Sequence, residues 1–575
     1  MVKKQNFGKR QGLAVETGVV SHSWHEGRYR VALIYPNTYH HGMSNLGFLT
    51  VYHLLNLRDD CLCERFFLPD RDALAASLCS IESGRQLGEF DLLAFSISFE
   101  NDYLNLPTIF SLADIPLFAA QRDESYPLVL FGGVCAFINP EPLADIVDIV
   151  AVGEAEPILP GLLNTLSNAE SGRNELLKDL ASLPGVYIPC FYDPVYSDAG
   201  EVVSFGCNGE GPKQVQRQFL ADLDTSASRS FIQTEATEFG QMALTEVSRG
   251  CSRGCRFCAA GFVYLPPRER SLNNLLEQVD AGLCERNRIG LVAAAVADYS
   301  NIQELQQGIL DRSGQLSMSS IRLDALTPDE VVLLNRAGHK TVAIAPEAGS
   351  QRLRDFINKG ISEEQILASV QMMADGGIRN LKLYFIIGFP EEEQGDVEAI
   401  ITLTEKISAI WREAGRKRGQ MGNLILSVNP FIPKPFTPFQ WAGMEEEKSL
   451  KKKIRFLQAA VSRIPNCRMN SESLRGAALQ TFLSRGDRRI GAILPTLAAG
   501  ANLRQTCKKA GLDVEFYVNR PRGYNELFPW DIIDQRVRKD YLWYEYRQAC
   551  QERATPPCAP GCRRCGVCDE QVSCC

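Results

Sequence analysis

SRGCSRGCRFC, residues 248–258, carries Cys251, Cys255 and Cys258 at C-x3-C-x2-C spacing, directly after a strand-like run, ALTEVS (243–248). Three thiolates on one short loop hold three irons of a 4Fe-4S cube and leave the fourth iron without a protein ligand. A zinc loop is the competing assignment, but zinc sites usually draw four ligands from two separated pairs. No fourth cysteine or histidine is near.

Toward the C-terminus, further strand-like runs recur at helix-length intervals: LVAAAVA (291–297), SSIRLDA (319–325), TVAIAPEA (341–348), LKLYFIIGF (381–389) and NLILSVNPF (423–431). The segments between them carry helix signals. Ser271 caps an apolar stripe of Leu272, Leu275, Leu276, Val279 and Leu283. Thr327-Pro328-Asp329-Glu330 is a capping box closed at Gly338, and Ser362 caps with Gln365 three residues on. Six strand–helix units predict a partial (βα)6 barrel of TIM type over 241–445, with reactive groups at the carboxyl ends of its strands.

Toward the N-terminus, the runs YRVALIYP (29–36), DLLAFSISF (91–99), LVLFGG (128–133) and DIVAVGE (148–154) are apolar on both faces and alternate with helices. That is the pattern of a doubly wound parallel α/β sheet, here over 29–190. Gly132, Gly133 and Gly153 follow its third and fourth runs, where such domains bind ligands, and are cofactor-binding candidates. Residues 1–28 read as an irregular leader, 191–240 as a connecting segment, 446–553 as a largely helical region and 554–575 as a cysteine-rich tail.

A chain of 575 residues is too long for one core. With 45% hydrophobic and 23% charged residues it has the composition of an ordinary soluble protein, and a net charge of −8 argues against an indiscriminate nucleic-acid binder. The basic start leads into no apolar core, and no apolar run approaches the ~18 residues of a bilayer span. No membrane is expected, and the expected location is cytoplasmic. Nineteen cysteines in such a chain point to metal rather than disulfides. Scattered ones such as Cys61 and Cys135 read as small buried hydrophobes.

The cysteine loop, with Phe257 before its last cysteine, resembles the signature of the radical SAM superfamily. The resemblance implies that S-adenosylmethionine binds the open iron and is cleaved reductively to a 5′-deoxyadenosyl radical, with Phe257 near the adenine. APEAGSQRLRDFINKGIS (345–362) is similar to the family's fourth-strand segment, which makes Glu347, Gly349 and Ser350 binding candidates. LKLYFIIGFPEEE (381–393) resembles the fifth, with Gly388 and Pro390 near the adenine, and SIRLDAL (320–326) the third, with Arg322 and Asp324 facing the pocket. Where many members carry a glycine-rich acidic motif after the second strand, this chain has VAAAVADYSN (292–301), and Asp298 is the candidate there. No catalytic acid or base stands out.

Four more stretches, 34–56, 132–156, SRGDRRIGA (484–492) and PWDIID (529–534), extend the resemblance to a subgroup with a cobalamin-binding-like domain ahead of the barrel. A small radical-SAM-linked partner protein and a reducing partner such as flavodoxin or ferredoxin are implied with it. The cobalt-ligating motif Asp-x-His-x-x-Gly is absent, since no aspartate stands two residues before His40 or His41. Cobalamin binding stays open.

In the tail, Cys558, Cys562, Cys565 and Cys568 have C-x3-C-x2-C-x2-C spacing, with Cys574 and Cys575 beyond. A second 4Fe-4S cluster and zinc both remain open there, and only metal is expected to order a segment so poor in apolar residues. For the substrate, SRGDRR (484–489) and RKRG (416–419) offer arginines to phosphates, which makes RNA the leading macromolecule, methylated or otherwise altered at an unactivated carbon. The alternatives are a small metabolite under the same chemistry, or a non-catalytic iron–sulfur protein for electron transfer or sensing.

Overall fold

Strands apolar on both faces lose most water when helices cover both sides, and the early runs accordingly assemble into one central sheet. β1 (Tyr29–Tyr35), β2 (Cys61–Phe67), β3 (Leu92–Ser96), β4 (Leu128–Gly132), β5 (Ile149–Ala151) and β6 (Val186–Tyr187) lie in the order β2-β1-β3-β4-β5-β6. The first five are parallel, and β6 closes one edge antiparallel. The computed structural model describes residues 15–568, apart from 21, 25–27, 70–77, 171, 209–210, 319–322, 325, 337–339 and 560. One face of the sheet buries Ala32, Ile34, Phe95 and Phe131, and the other Val31, Leu33, Ala94 and Leu130.

β2 is not among the runs the sequence pattern predicts, because Glu64 and Arg65 interrupt CLCERFF. The fold supplies partners for both charges. Arg65 is fully buried and pairs with Glu16 at 2.8 Å and Glu82 at 2.6 Å, while Glu64 accepts the Ser83 hydroxyl at 2.6 Å.

Beyond residue 240, β7 (Ala243–Glu246), β8 (Arg288–Val292) and β9 (Gln315–Met318) form a parallel three-stranded sheet. β10 (Thr341–Glu347), β11 (Asn380–Ile387), β12 (Leu424–Pro430) and β13 (Cys467–Ser471) form a parallel four-stranded one. Seven strands stand where the pattern predicts six, because the helix Glu447–Val461 brings the chain back to lay β13 beside β12. Among the described residues the two sheets remain separate ladders, and no closed barrel forms. Two strands also shift. β8 ends at Val292, so LVAAAVA is mostly the turn beyond it. β9 precedes SSIRLDA, most of which lies outside the described residues. Helix starts fall where the caps predict, with Ser271 accepting the Asn274 N–H and Ser362 that of Gln365.

Segment 191–240 does more than connect. It contains an antiparallel hairpin, Tyr192–Tyr196 with Val202–Cys207, and a short strand, Val215–Gln216, paired with Ile533–Asp534 from the C-terminal region. None of the described helices is long and apolar enough to cross a membrane.

Candidate functional site

The turns after β3, β4 and β5 and those after β7 and β8 wall a cavity of about 480 Å³. That volume lies within the range of small-molecule and cofactor sites. From its mouth an apolar slot runs along Leu33, Ala94 and Leu130 of the first sheet, against Val51 of helix Leu46–Asn56 and Leu159 and Leu163 of helix Ala155–Ser167. Gly132, Gly133 and Gly153 all line it. Gly133 (φ 93°) and Gly153 (φ 134°) are turns only glycine tolerates, since a Cβ would stand 2.5 Å from Ile97 O and 2.1 Å from Gln218 O. At Gly132 such a Cβ would meet only Phe95 O, at an ordinary contact distance of 3.9 Å. No histidine is among the described lining residues. His41 bonds the Thr38 hydroxyl at 2.8 Å, and His40 lies 3.7 Å from Glu238.

One guanidinium ties the two sheets together at the cavity wall. Arg249 donates to Glu246 at 2.8 Å, Glu154 at 2.6 Å and Glu156 at 2.9 Å. Arg268 takes the other Glu154 oxygen at 2.7 Å, and Arg270 joins Glu246 at 2.8 Å. Burial by itself raises the Glu154 pKa, but Arg249, Arg268 and the Leu220 N–H outweigh it and hold the carboxyl at about 2. Sequence reasoning misses this network. Its one available signal is the arginine two residues before the first cysteine.

Burial pushes the Cys255 thiol up to about 12 and raises those of Cys251 and Cys258, which disfavours a free thiolate on the loop. Lys359 lies close enough to Cys255 and Cys258 to pull their thiols partly back, and pairs with Glu347 at 3.1 Å. Among the described residues no three His, Cys, Asp or Glu side chains converge on a single ion. A cube takes one thiolate per iron, so its ligands stand apart, and the donor set of this loop suits a cube better than one zinc. Glu347 holds φ 65° at the end of β10. A left-handed conformation costs a residue other than glycine about 1–3 kcal/mol, a strain that gathers at ligand sites.

The other predicted residues divide. Phe257 packs on Phe389, ring centres 5.7 Å apart, so the residue before the last cysteine meets the Gly388-Phe389-Pro390 turn. The Gly388 N–H is accepted by Glu392 at 2.8 Å. Gly349 and Ser350 serve the fold. A Cβ at Gly349 would stand 2.2 Å from Ile400 N, and Ser350 caps helix Gln351–Phe356 through the Leu353 N–H while donating to Asp396. Asp298 and Asp324 meet at Arg253 of the cysteine loop, 2.8 Å and 3.6 Å away. Arg322, Cys574 and Cys575 lie outside the described residues.

The arginines of SRGDRR are bonded within the fold, Arg485 in the interior and Arg488 and Arg489 partly exposed. Arg485 is fully buried and donates to Val518 O and Arg520 O, each at 3.0 Å. Arg488 reaches Tyr192 O at 2.7 Å and Glu141 at 3.3 Å, and Arg489 pairs with Asp487 at 2.6 Å. In RKRG, Lys417 pairs with Glu413 at 3.0 Å and Arg418 donates to Ala374 O at 2.7 Å.

Residues 47–189 match the family described as radical SAM proteins, N-terminal, and residues 245–404 match the radical SAM superfamily. An uncharacterised protein of Methanocaldococcus jannaschii is 30% identical over 495 residues, covering 85% of this chain and 96% of that one. An uncharacterised methyltransferase of Pyrococcus horikoshii is 26% identical over 222 residues, 36% of this chain and 46% of that one. Among solved structures, the cobalamin-dependent S-adenosylmethionine radical enzyme OxsB aligns with a TM-score of 0.41 at 16% identity, covering 66% of this chain and 52% of that one. With both segments matched, and a relative aligned over nearly its whole length, the chain belongs to the radical SAM superfamily of enzymes.

Proposed function

We propose that this chain cleaves S-adenosylmethionine at the Cys251 loop and directs the radical to a ligand of the cavity between the two sheets, with a corrinoid as the cavity's cofactor. The observation that carries this is adjacency: Arg249 and Gly250 line the cavity, and Cys251 is the next residue. Cys251, Cys255 and Cys258 would hold a 4Fe-4S cluster, which supplies the electron that breaks a carbon–sulfur bond of the sulfonium. Glu347, balanced by Lys359, offers a carboxylate to an ammonium group, and Phe257 with Phe389 offers an apolar wall for a flat base. Arg253, held by Asp298 and Asp324, steadies the loop between its cysteines.

Gly132, Gly133 and Gly153 with the apolar residues behind them would hold a corrinoid, which would supply methyl transfer. Gly132 puts no side chain in the mouth, the slot excludes water from an inserted group, and Arg249 keeps cavity and loop in one geometry. The burial of Arg485 takes one arginine of SRGDRR out of the phosphate-contact argument for RNA, while Arg416, Lys417 and Arg418 of RKRG stay exposed. The second reading of the substrate is a small metabolite bearing the unactivated carbon.

Anaerobic reconstitution with iron, sulfide and a flavodoxin- or ferredoxin-class donor tests the chemistry. 5′-Deoxyadenosine should form, and label from methyl-labelled S-adenosylmethionine should be followed into cellular RNA and small-molecule fractions. No deoxyadenosine would sink the cleavage reading, and label confined to RNA would sink the small-substrate reading. Hydroxocobalamin should co-elute with the full chain in gel filtration and not with Gly132→Leu. Absence of co-elution from the unaltered chain rejects the corrinoid.

A further inference from the structure

Composition predicts that only metal orders the cysteine-rich tail, yet its described part lies hydrogen-bonded against the cysteine loop. The Cys558 N–H donates to Ser252 O at 2.7 Å. Thr555 N–H donates to Asn358 Oδ1 at 2.9 Å, while Asn358 Nδ2 holds Gly254 O at 3.2 Å. Arg256, fully buried, donates to Arg553 O at 2.6 Å and pairs with Glu545 at 3.1 Å. Cys565 O accepts from the Arg538 N–H at 2.9 Å, and Cys565, Val567 and Cys568 are buried. Two cysteine groups far apart in the chain are thereby brought together: Cys251, Cys558, Cys562 and Cys565 line one cavity of about 30 Å³.

We propose that Cys558, Cys562 and Cys565 hold a second iron–sulfur centre that passes electrons to the centre at Cys251, Cys255 and Cys258. This rests on the cluster assignment above and adds the electron's route to it. Cys251 and the three tail cysteines line the same small cavity, so a centre at each cysteine group would lie beside the other. Arg564 Nε donates to Cys562 Sγ at 3.2 Å, a contact that stabilises an anionic thiolate cluster. A lone zinc would need four converging ligands, and among the described residues no three such side chains converge.

Each reductive cleavage takes one electron. A one-electron donor of the flavodoxin or ferredoxin class is oxidised, the tail centre is reduced and reoxidised, and the loop centre is reduced, with no bond made or broken at the thiolates. Cys568 is disulfide-bonded. It becomes a fourth ligand only after that disulfide takes up two electrons and two protons from a dithiol reductant.

The test compares the full-length, anaerobically reconstituted chain with Cys562→Ser/Cys565→Ser and with Cys251→Ala/Cys255→Ala/Cys258→Ala. Iron should fall from about eight to about four per chain in either variant. The broadened EPR spectrum of two coupled reduced centres should simplify to that of one. Reduction of the loop centre by flavodoxin should slow about tenfold in the tail variant, while reduction by dithionite does not. Because Cys565 is buried, Cys562→Ser alone serves as a second variant that spares the core, with the same expected loss of iron and the same slowing. Unchanged iron in both tail variants, zinc in place of the lost iron, or an unchanged rate with flavodoxin overturns the proposal. A loop variant that keeps all its iron overturns the cluster assignment instead.

Discussion

At the residue scale, two ionisation equilibria govern the site. Burial keeps the Cys255 thiol protonated at neutral pH unless a cation replaces the proton. Alanine at Cys251, Cys255 or Cys258 should therefore lower bound iron and abolish 5′-deoxyadenosine formation. Cleavage persisting in all three single variants would defeat the assignment. Glu154 behaves oppositely: its carboxyl ionises at about 2 in the fold, against an ordinary 4.5. A depressed carboxyl pKa contributes stability that is fully present above pH 4.5 and is lost as pH falls toward about 2. At 1.36 kcal/mol per pH unit the contribution is about 3 kcal/mol. Glu154→Gln should lower the urea midpoint at pH 7, because Arg249 and Arg268 lose their shared counter-charge, and should flatten the acid dependence below pH 4.5. An acid slope identical to that of the unaltered protein would locate the sensitivity elsewhere.

At the scale of elements, charge in the sequence becomes interior structure. Helix Leu474–Arg485 ends in a guanidinium that binds two carbonyls and never reaches solvent. Arg485→Ala should therefore cost about 1–3 kcal/mol of stability in urea unfolding. Arg485→Lys should rescue little of it, since a single ammonium does not span both carbonyls. Lost RNA affinity with unchanged stability would return the segment to the surface role its composition suggests. β2 makes the same point, with Arg65 held between Glu16 and Glu82 inside a strand that reads as polar.

At the scale of the molecule, the cavity is walled by both sheets, so a ligand there binds the folded arrangement and not its separated parts. Hydroxocobalamin at a hundredfold excess over Kd should stabilise the chain by about 2.7 kcal/mol. The measurable result is a higher Tm in thermal unfolding, absent in Gly132→Leu. A Tm that does not move with saturating hydroxocobalamin would contradict a corrinoid in this cavity.

What was legible in the sequence was local. Cys251, Cys255 and Cys258 stand out because their spacing puts three thiols on one short loop. Ser271 and Ser362 do so because a cap satisfies an N–H three residues away. Apolar runs on both faces reveal the parallel sheet, and Gly133 and Gly153 mark turns at the carboxyl ends of its strands. Only the tertiary structure decided the rest. It set β13 beside β12. It buried Arg485 of SRGDRR against carbonyls distant in the chain, tied Arg488 to Tyr192, placed Arg249 between Glu154 and Glu246, and laid the tail on the loop. The physical reason is range. Periodicity and caps report contacts within a few residues, whereas a buried charge is stabilised by whichever distant group the fold brings within hydrogen-bonding distance, and local pattern carries no record of that group.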